Sequence, residues 1–300
     1  MINRYNFFSN QSGIALIQIL VLSSILTVLA IFITSTAREQ VKIAQWTEDR
    51  TLAFLASKSV ESELFFALLT EPLLRSINQE TDEYELYDKW NFHGEAFSTN
   101  DNVLVKLQDL NGKINAHYPK KELVLSLLQA NGASYTESIV VLDSLLDWQD
   151  VDIISRDSGF DGESGAIPIR NGALPNVEEL TKISGIPEHL HSLLADNLTV
   201  YGTNSFNPMN ASRELLSAIA TPFITEQILA LRNDGMLTKE LFTELTGIRE
   251  SDSTYFTPTS YFEITLESRV GDALLVKKIY LQINPLATKK TPINLLRTIM

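Results

Sequence analysis

Six carboxylates crowd one stretch of the chain, Asp147, Asp150, Asp152, Asp157, Asp161 and Glu163, interleaved with Ser155, Ser158, Gly159 and Gly162. Several oxygen donors on a flexible acidic loop suit a hard cation, and Ca²⁺ accepts roughly six to eight of them at about 2.3–2.6 Å. Calcium is therefore the expected ion, with Asp150, Asp152, Asp157, Asp161 and Glu163 as its ligands. Asp147 is the weakest candidate, because beside Trp148 at a helix end it reads as structural. The spacing is not that of an EF-hand loop, and the same acids would also serve to solvate a surface loop or to cap helices.

Other chemistry finds little footing. His93, His117, His189 and His191 form no HExxH pattern, and neither a Gly-x-Ser-x-Gly elbow nor a phosphate loop is present, so catalysis is not expected. Cysteine is absent, which excludes disulfides and thiolate metal sites. Lys and Arg number 24 against 37 Asp and Glu, a net charge of −13, so attraction to phosphate backbones or anionic lipid is disfavoured. The hydrophobic content of 44% supplies a real core.

The elements that carry these residues begin with a hydrophobic helix. From Ile14 to Ala37 there is no charge, and Ile14 to Ile33 is long enough at about 1.5 Å per residue to cross a hydrocarbon core of roughly 30 Å. The preceding segment is mostly polar, ends in Gln11-Ser12-Gly13, and has Arg4 as its single charge. An ordinary secretory signal places its small-residue cleavage site after the apolar core; here Gly13 stands before it. Cleavage between Gly13 and Ile14 would retain the apolar helix in the mature chain. Beyond Arg38 a helical stripe continues through Leu52, Ala56, Val60, Leu64 and Leu68, with Glu61 and Glu63 on other faces, and it should stop near Glu71-Pro72.

This arrangement resembles the type IV pilins and their secretion relatives, made with a prepilin leader. That family usually has Glu at the fifth mature position, which counted from Ile14 is Gln18 here. The departure resembles one subclass, the K minor pseudopilin of type II secretion systems. Further echoes of that subclass are Asp109 to Asn115 (DLNGKIN), Leu146 to Asp152 (LDWQDVD), Asn171 to Leu180 (NGALPNVEEL) and Phe206 to Ser212 (FNPMNAS). The resemblance spans nearly the whole chain. It implies cleavage after Gly13 by a prepilin peptidase, methylation at Ile14, a single-pass anchor in a bacterial inner membrane, and a periplasmic head. It also implies a place at the pseudopilus tip, with the I and J minor components and the major pseudopilin as partners, and calcium in an acidic loop of this kind.

The fold expected is α+β and pilin-like: a long N-terminal helix packed on an antiparallel sheet, interrupted by a large all-helical insertion with helix-hairpin-helix-like, SAM-like units. The boundaries are 1–13 for the leader, 14–37 for the membrane part of the helix, 38–117 with 251–300 for the α/β domain, and 118–250 for the insertion. Val103 to Gln108 alternates as a strand with Asn111-Gly112 as a hairpin signal, and Phe262, Ile264 and Leu266 precede a turn at Gly271-Asp272 into Leu275 to Ile283. Helical patterns cover Leu123 to Leu128, Ser138 to Trp148, Val177 to Ile183 and Arg213 to Ala220. Phe206 to Ile248 also looks like the tandem helix-hairpin-helix modules of DNA-uptake receptors. Yet Pro187-Glu188 and Thr221-Pro222-Phe223 stand where glycine-flanked amides would meet phosphate, so no nucleic-acid partner is expected. A membrane-tethered DNA receptor and a type IV pilus tip adhesin are the alternative functions; the receptor predicts salt-sensitive duplex binding.

Overall fold

The computed structural model describes residues 12–73, 90–100, 102–152, 154–159, 169–284, 286 and 291–300. Helix α1 runs from Ser12 to Thr70 without interruption. From Ile14 onward it contains neither proline nor glycine, and its hydroxyls bond back within the helix: Ser24 to the Leu20 carbonyl at 2.8 Å and Thr34 to that of Ala30 at 2.7 Å. A polar side chain satisfied by its own helix can sit in hydrocarbon at little cost. The helix stops at Thr70, two residues before Pro72, as its sequence requires.

A five-stranded antiparallel sheet packs on the later half of α1, in the order β1 (His93–Asn100), β2 (Val103–Asp109), β5 (Tyr261–Val270), β6 (Ala273–Ile283), β7 (Ile293–Ile299). Alternation sets the register: Leu107 lies opposite Ile264, and Ile264 opposite Ile279, all fully or almost fully buried. This inner face and the Val60, Leu64 and Leu68 stripe of α1 form one core. Gly271 makes the β5–β6 turn with φ +51°, which favours glycine, and a Cβ there would fall 2.3 Å from Asp49 Oδ2 on α1, so a larger residue would have to displace that carboxylate.

The segment between β2 and β5 holds helices α2 (Lys121–Ala130), α3 (Tyr135–Gln149), α4 (Glu188–Asn197), α5 (Arg213–Ile219), α6 (Pro222–Asn233) and α7 (Lys239–Thr246) around a second core that includes Leu127, Leu145, Leu216 and Phe242. Ser134, Ser212, Thr221 and Thr238 cap four of these helices with their hydroxyls, Ser134 in a full capping box with Glu137. A short parallel pair, β3 (Ile114–Asn115) with β4 (Leu198–Thr199), links the start of this region to its middle.

Some local expectations change. Asn111-Gly112 does not close a hairpin; it belongs to a 3-10 turn, Leu110–Gly112, that steers the chain away from the sheet and into β3. The cause is Asp109, whose carboxylate accepts the Asn111 amide at 3.1 Å. Val177–Lys182 is 3-10 rather than α-helix. On α1, Leu52 is exposed, whereas Ala53, Ser57 and Glu61 are buried, a 53, 57, 60, 64, 67 stripe rotated from the expected 52, 56, 60, 64, 68. Glu61 can face the sheet because Lys277 of β6 meets it there.

Candidate functional site

Three features carry the residues singled out above: the apolar helix, a polar junction between the two cores, and the acidic loop. At the junction, Asp109 ends β2 and is fully buried. Its Oδ2 accepts from Asn207 Nδ2 at 2.9 Å and Asn210 Nδ2 at 3.1 Å, and its Oδ1 from Thr259 Oγ1 at 2.9 Å. Burial pushes this carboxyl upward, opposed by the hydrogen bonds it accepts. Asn111 adds bonds to Thr203 and Ser205, and the Asn207 amide donates to the Asn111 carbonyl at 2.6 Å. Gly112 lies so near Asn210 that a Cβ would sit 2.3 Å from its carbonyl oxygen. The DLNGKIN and FNPMNAS echoes are thus two halves of one clasp that joins sheet to helices.

The acidic loop starts from α3. Asp147, fully buried at its end, receives the Arg156 guanidinium, which also reaches Asp150 Oδ2 at 2.6 Å. Burial depresses the Arg156 pKa, but the two carboxylates outweigh it and leave it above the usual value. A Cβ on Gly159 would collide with Asp147, so the loop folds directly over that carboxylate. Trp148 donates its indole N–H to Glu179 Oε1 at 3.0 Å, and Arg170 holds the same carboxylate. That hydrogen-bonded arginine is the main reason Glu179 stays below the usual carboxylate range. LDWQDVD and NGALPNVEEL therefore contact each other directly.

Of the expected calcium ligands, Asp150, Asp152 and Asp157 are described, while Asp161 and Glu163 lie outside the described residues. Asp152 Oδ1 accepts the Ile154 amide at 2.9 Å, and Asp150 gives one oxygen to Arg156. The other, Oδ1, is buried and has no hydrogen-bond partner among the described residues. Among the described residues no three His, Cys, Asp or Glu side chains converge on one point. Arg156, the partner of Asp147 and Asp150, was missed in sequence; its place nine residues after one acid and six after the other gave no periodic signal.

The histidines have structural company. His117 Nε2 lies 2.9 Å from the Leu174 carbonyl, His191 Nε2 3.1 Å from that of Ile186, and His189 3.5 Å from Glu137. Burial, with Arg232 nearby, lowers His93 to a pKa of about 3, so it stays neutral at physiological pH.

On α1, Gly13 lies within the helix and residues 1–11 are outside the described set. Ile14 and Gln18 are exposed, as is every residue of the apolar segment up to Ile33. The most apolar part of the helix has a mean hydropathy of 2.7 and none of it is buried in the head, so it is a candidate membrane anchor. Apolar exposure continues past Arg38 through Val41 (66%), Ile43 (65%), Leu55 (56%) and Phe66 (55%). That second exposed stretch carries no periodic signal of its own, because its apolar residues do not share one helical face.

No family model matches the sequence, and no curated protein matches it. Among solved structures, the chain is similar to one in the crystal structure of the GspK-GspI-GspJ complex from the enterotoxigenic Escherichia coli type 2 secretion system. The TM-score is 0.55 at 15% identity, over 85% of this chain and 98% of that one. This likeness establishes the fold: a long N-terminal helix on an antiparallel sheet with added helices, a pilin-like α+β architecture.

Proposed function

We propose that this protein is a minor pseudopilin of a type II secretion system, placed at the pseudopilus tip, where it initiates or caps assembly and so supports protein export. The single observation that carries the reading is α1: one unbroken helix whose first half is bare and apolar and whose second half is the spine of the head. A helix with no partner in its own chain needs lipid at one stage and neighbouring helices at another. The likeness to a chain from a complex of minor pseudopilins supports the I and J components as those neighbours, with the exposed Val41, Ile43, Leu55 and Phe66 extending the apolar surface along the later half of the helix. Gln18 in place of an acid cannot neutralise the N-terminal amine of a subunit beneath it, which suits a subunit at the top. Its role is association, not catalysis.

The reading requires processing. Expression with a prepilin peptidase should yield a chain that begins at Ile14, with Gly13→Asp leaving it uncut, both read by intact mass. An uncut wild-type chain, or cleavage beyond the apolar helix, would overturn it.

We further propose that calcium is held in the acidic loop by Asp150, Asp152, Asp157, Asp161 and Glu163, supplying the charge that lets these carboxylates approach one another. Arg156 anchors the base of the loop on Asp147, and the unpartnered Asp150 Oδ1 supports a second cation beside it. At a calcium concentration a hundredfold above Kd, stability should rise by about 2.7 kcal/mol in the EDTA-treated protein. An unchanged melting temperature and no bound metal would remove calcium from the account.

A further inference from the structure

Asparagine followed by glycine occurs three times, at Asn111-Gly112, Asn131-Gly132 and Asn171-Gly172. This dipeptide carries its own electrophile and nucleophile. The side-chain carbonyl carbon of the asparagine can close a succinimide ring with the glycine backbone nitrogen, and glycine has no Cβ to hinder the approach. Whether the ring closes depends on how firmly the fold holds the two groups, and the three sites differ in that respect.

Asn111 is buried with its carboxamide bonded to Thr203 and Ser205, and Gly112 is wedged against the Asn210 carbonyl. Asn131 donates from its carboxamide to the Leu127 carbonyl at 2.8 Å, and the Gly132 amide donates to that of Gln129 at 3.1 Å, so both groups are tied to the end of α2. Asn171 is exposed, and among the described residues neither its side chain nor the Gly172 amide has a hydrogen-bond partner. It is also the one non-glycine residue with positive φ among them, at +49°. The chain is pinned on either side instead. Arg170 holds Glu179, while the buried Leu174 donates its amide to Gln149 Oε1 at 3.3 Å and has its carbonyl 2.9 Å from His117 Nε2.

We propose that Asn171 is a self-modifying site, which deamidates in the folded protein with water as the only co-reactant. The Gly172 backbone nitrogen bonds to the Asn171 side-chain carbonyl carbon, its proton passes through solvent to the side-chain nitrogen, and that nitrogen leaves as ammonia. Water then adds to either carbonyl of the resulting succinimide and breaks its bond to the ring nitrogen, giving aspartate or isoaspartate at position 171. Either product places a new negative charge next to Arg170, and isoaspartate also lengthens the backbone between Arg170 and Leu174. The modification therefore acts on the contact in which Arg170 and the Trp148 indole share Glu179. It needs only this loop and is independent of the secretion reading.

The test incubates the full chain in detergent micelles at mildly alkaline pH and follows the three sites by peptide mapping, which reads the mass gain of amide to acid and the separate elution of isoaspartyl peptides. In the folded protein Asn171 should convert at least about tenfold faster than Asn111 and Asn131, whose groups react only after local opening. In urea the three rates should converge. Gly172→Ala should slow conversion at Asn171 at least about tenfold by hindering the nitrogen. That variant should melt with the natural chain, because Gly172 is not among the positive-φ glycines and the nearest described atom to a Cβ there is Arg170 Cγ at 3.9 Å. The comparison of sites in the natural chain stands even if the variant misfolds. Equal rates at the three sites in the folded chain, no conversion at Asn171 over a time that converts the urea-unfolded chain, or undiminished conversion in folded Gly172→Ala would overturn the proposal.

Discussion

Asp109→Ala lowers the stability of the folded chain by about 3–5 kcal/mol, because it strands several donors at about 1–3 kcal/mol for each that is buried. The reason is what it leaves behind. Asn207, Asn210 and Thr259 all aim donors at the lost carboxylate, and in the absence of water each unpaired donor carries its own desolvation cost. Because two of these donors lie within the helical segment and the third where the chain returns to the sheet, the effect should extend beyond the melting temperature. Limited proteolysis of Asp109→Ala at a temperature where it is still folded should cut the helical region away from the sheet. A variant that melts normally and resists cleavage would show that the clasp is dispensable.

Lys277→Ala is the second large expected loss, about 3 kcal/mol by urea unfolding, while Glu61→Leu combined with Lys277→Leu returns stability to near or above that of the natural chain. Both side chains are less than a tenth exposed between α1 and β6. Removing the lysine strands a carboxylate in the core, relieved only in part by Lys58 at 3.1 Å from its solvent side. Removing both charges restores an apolar contact between helix and sheet. If the double variant is as unstable as the single one, the pair is a true attachment rather than a mutual compensation.

The pattern of what the sequence disclosed follows the physics of each element. α1, β2 and the β5–β6 hairpin were legible because a long charge-free run, strict alternation and a Gly-Asp turn are local signals. β1 was not, since His-Gly-Glu-Ala-Phe-Ser-Thr-Asn has no clear alternation and carries a bulge with Gly94 at φ +78°. β7 escaped notice for the same reason: its partly covered and exposed residues follow no two-residue period, and its register slips once against β6. The four echoed motifs were visible as strings, but their partnership was not. That Asp109 would meet Asn207, or Trp148 meet Glu179, depends on chain segments 98 and 31 residues apart. Glu61 was placed on the wrong face because its burial depends on a lysine 216 residues away.

The 59 residues of α1 make a rod about 90 Å long at 1.5 Å per residue. Kinks in helices arise at proline, at glycine pairs or where the backbone ladder is interrupted, and from Ile14 to Thr70 the sequence contains neither proline nor glycine. Such a rod acts as a strut. Displacement of its foot along the axis would be carried to the head through the places where α1 meets the sheet, the Glu61–Lys277 pair and the close approach of Asp49 to Gly271.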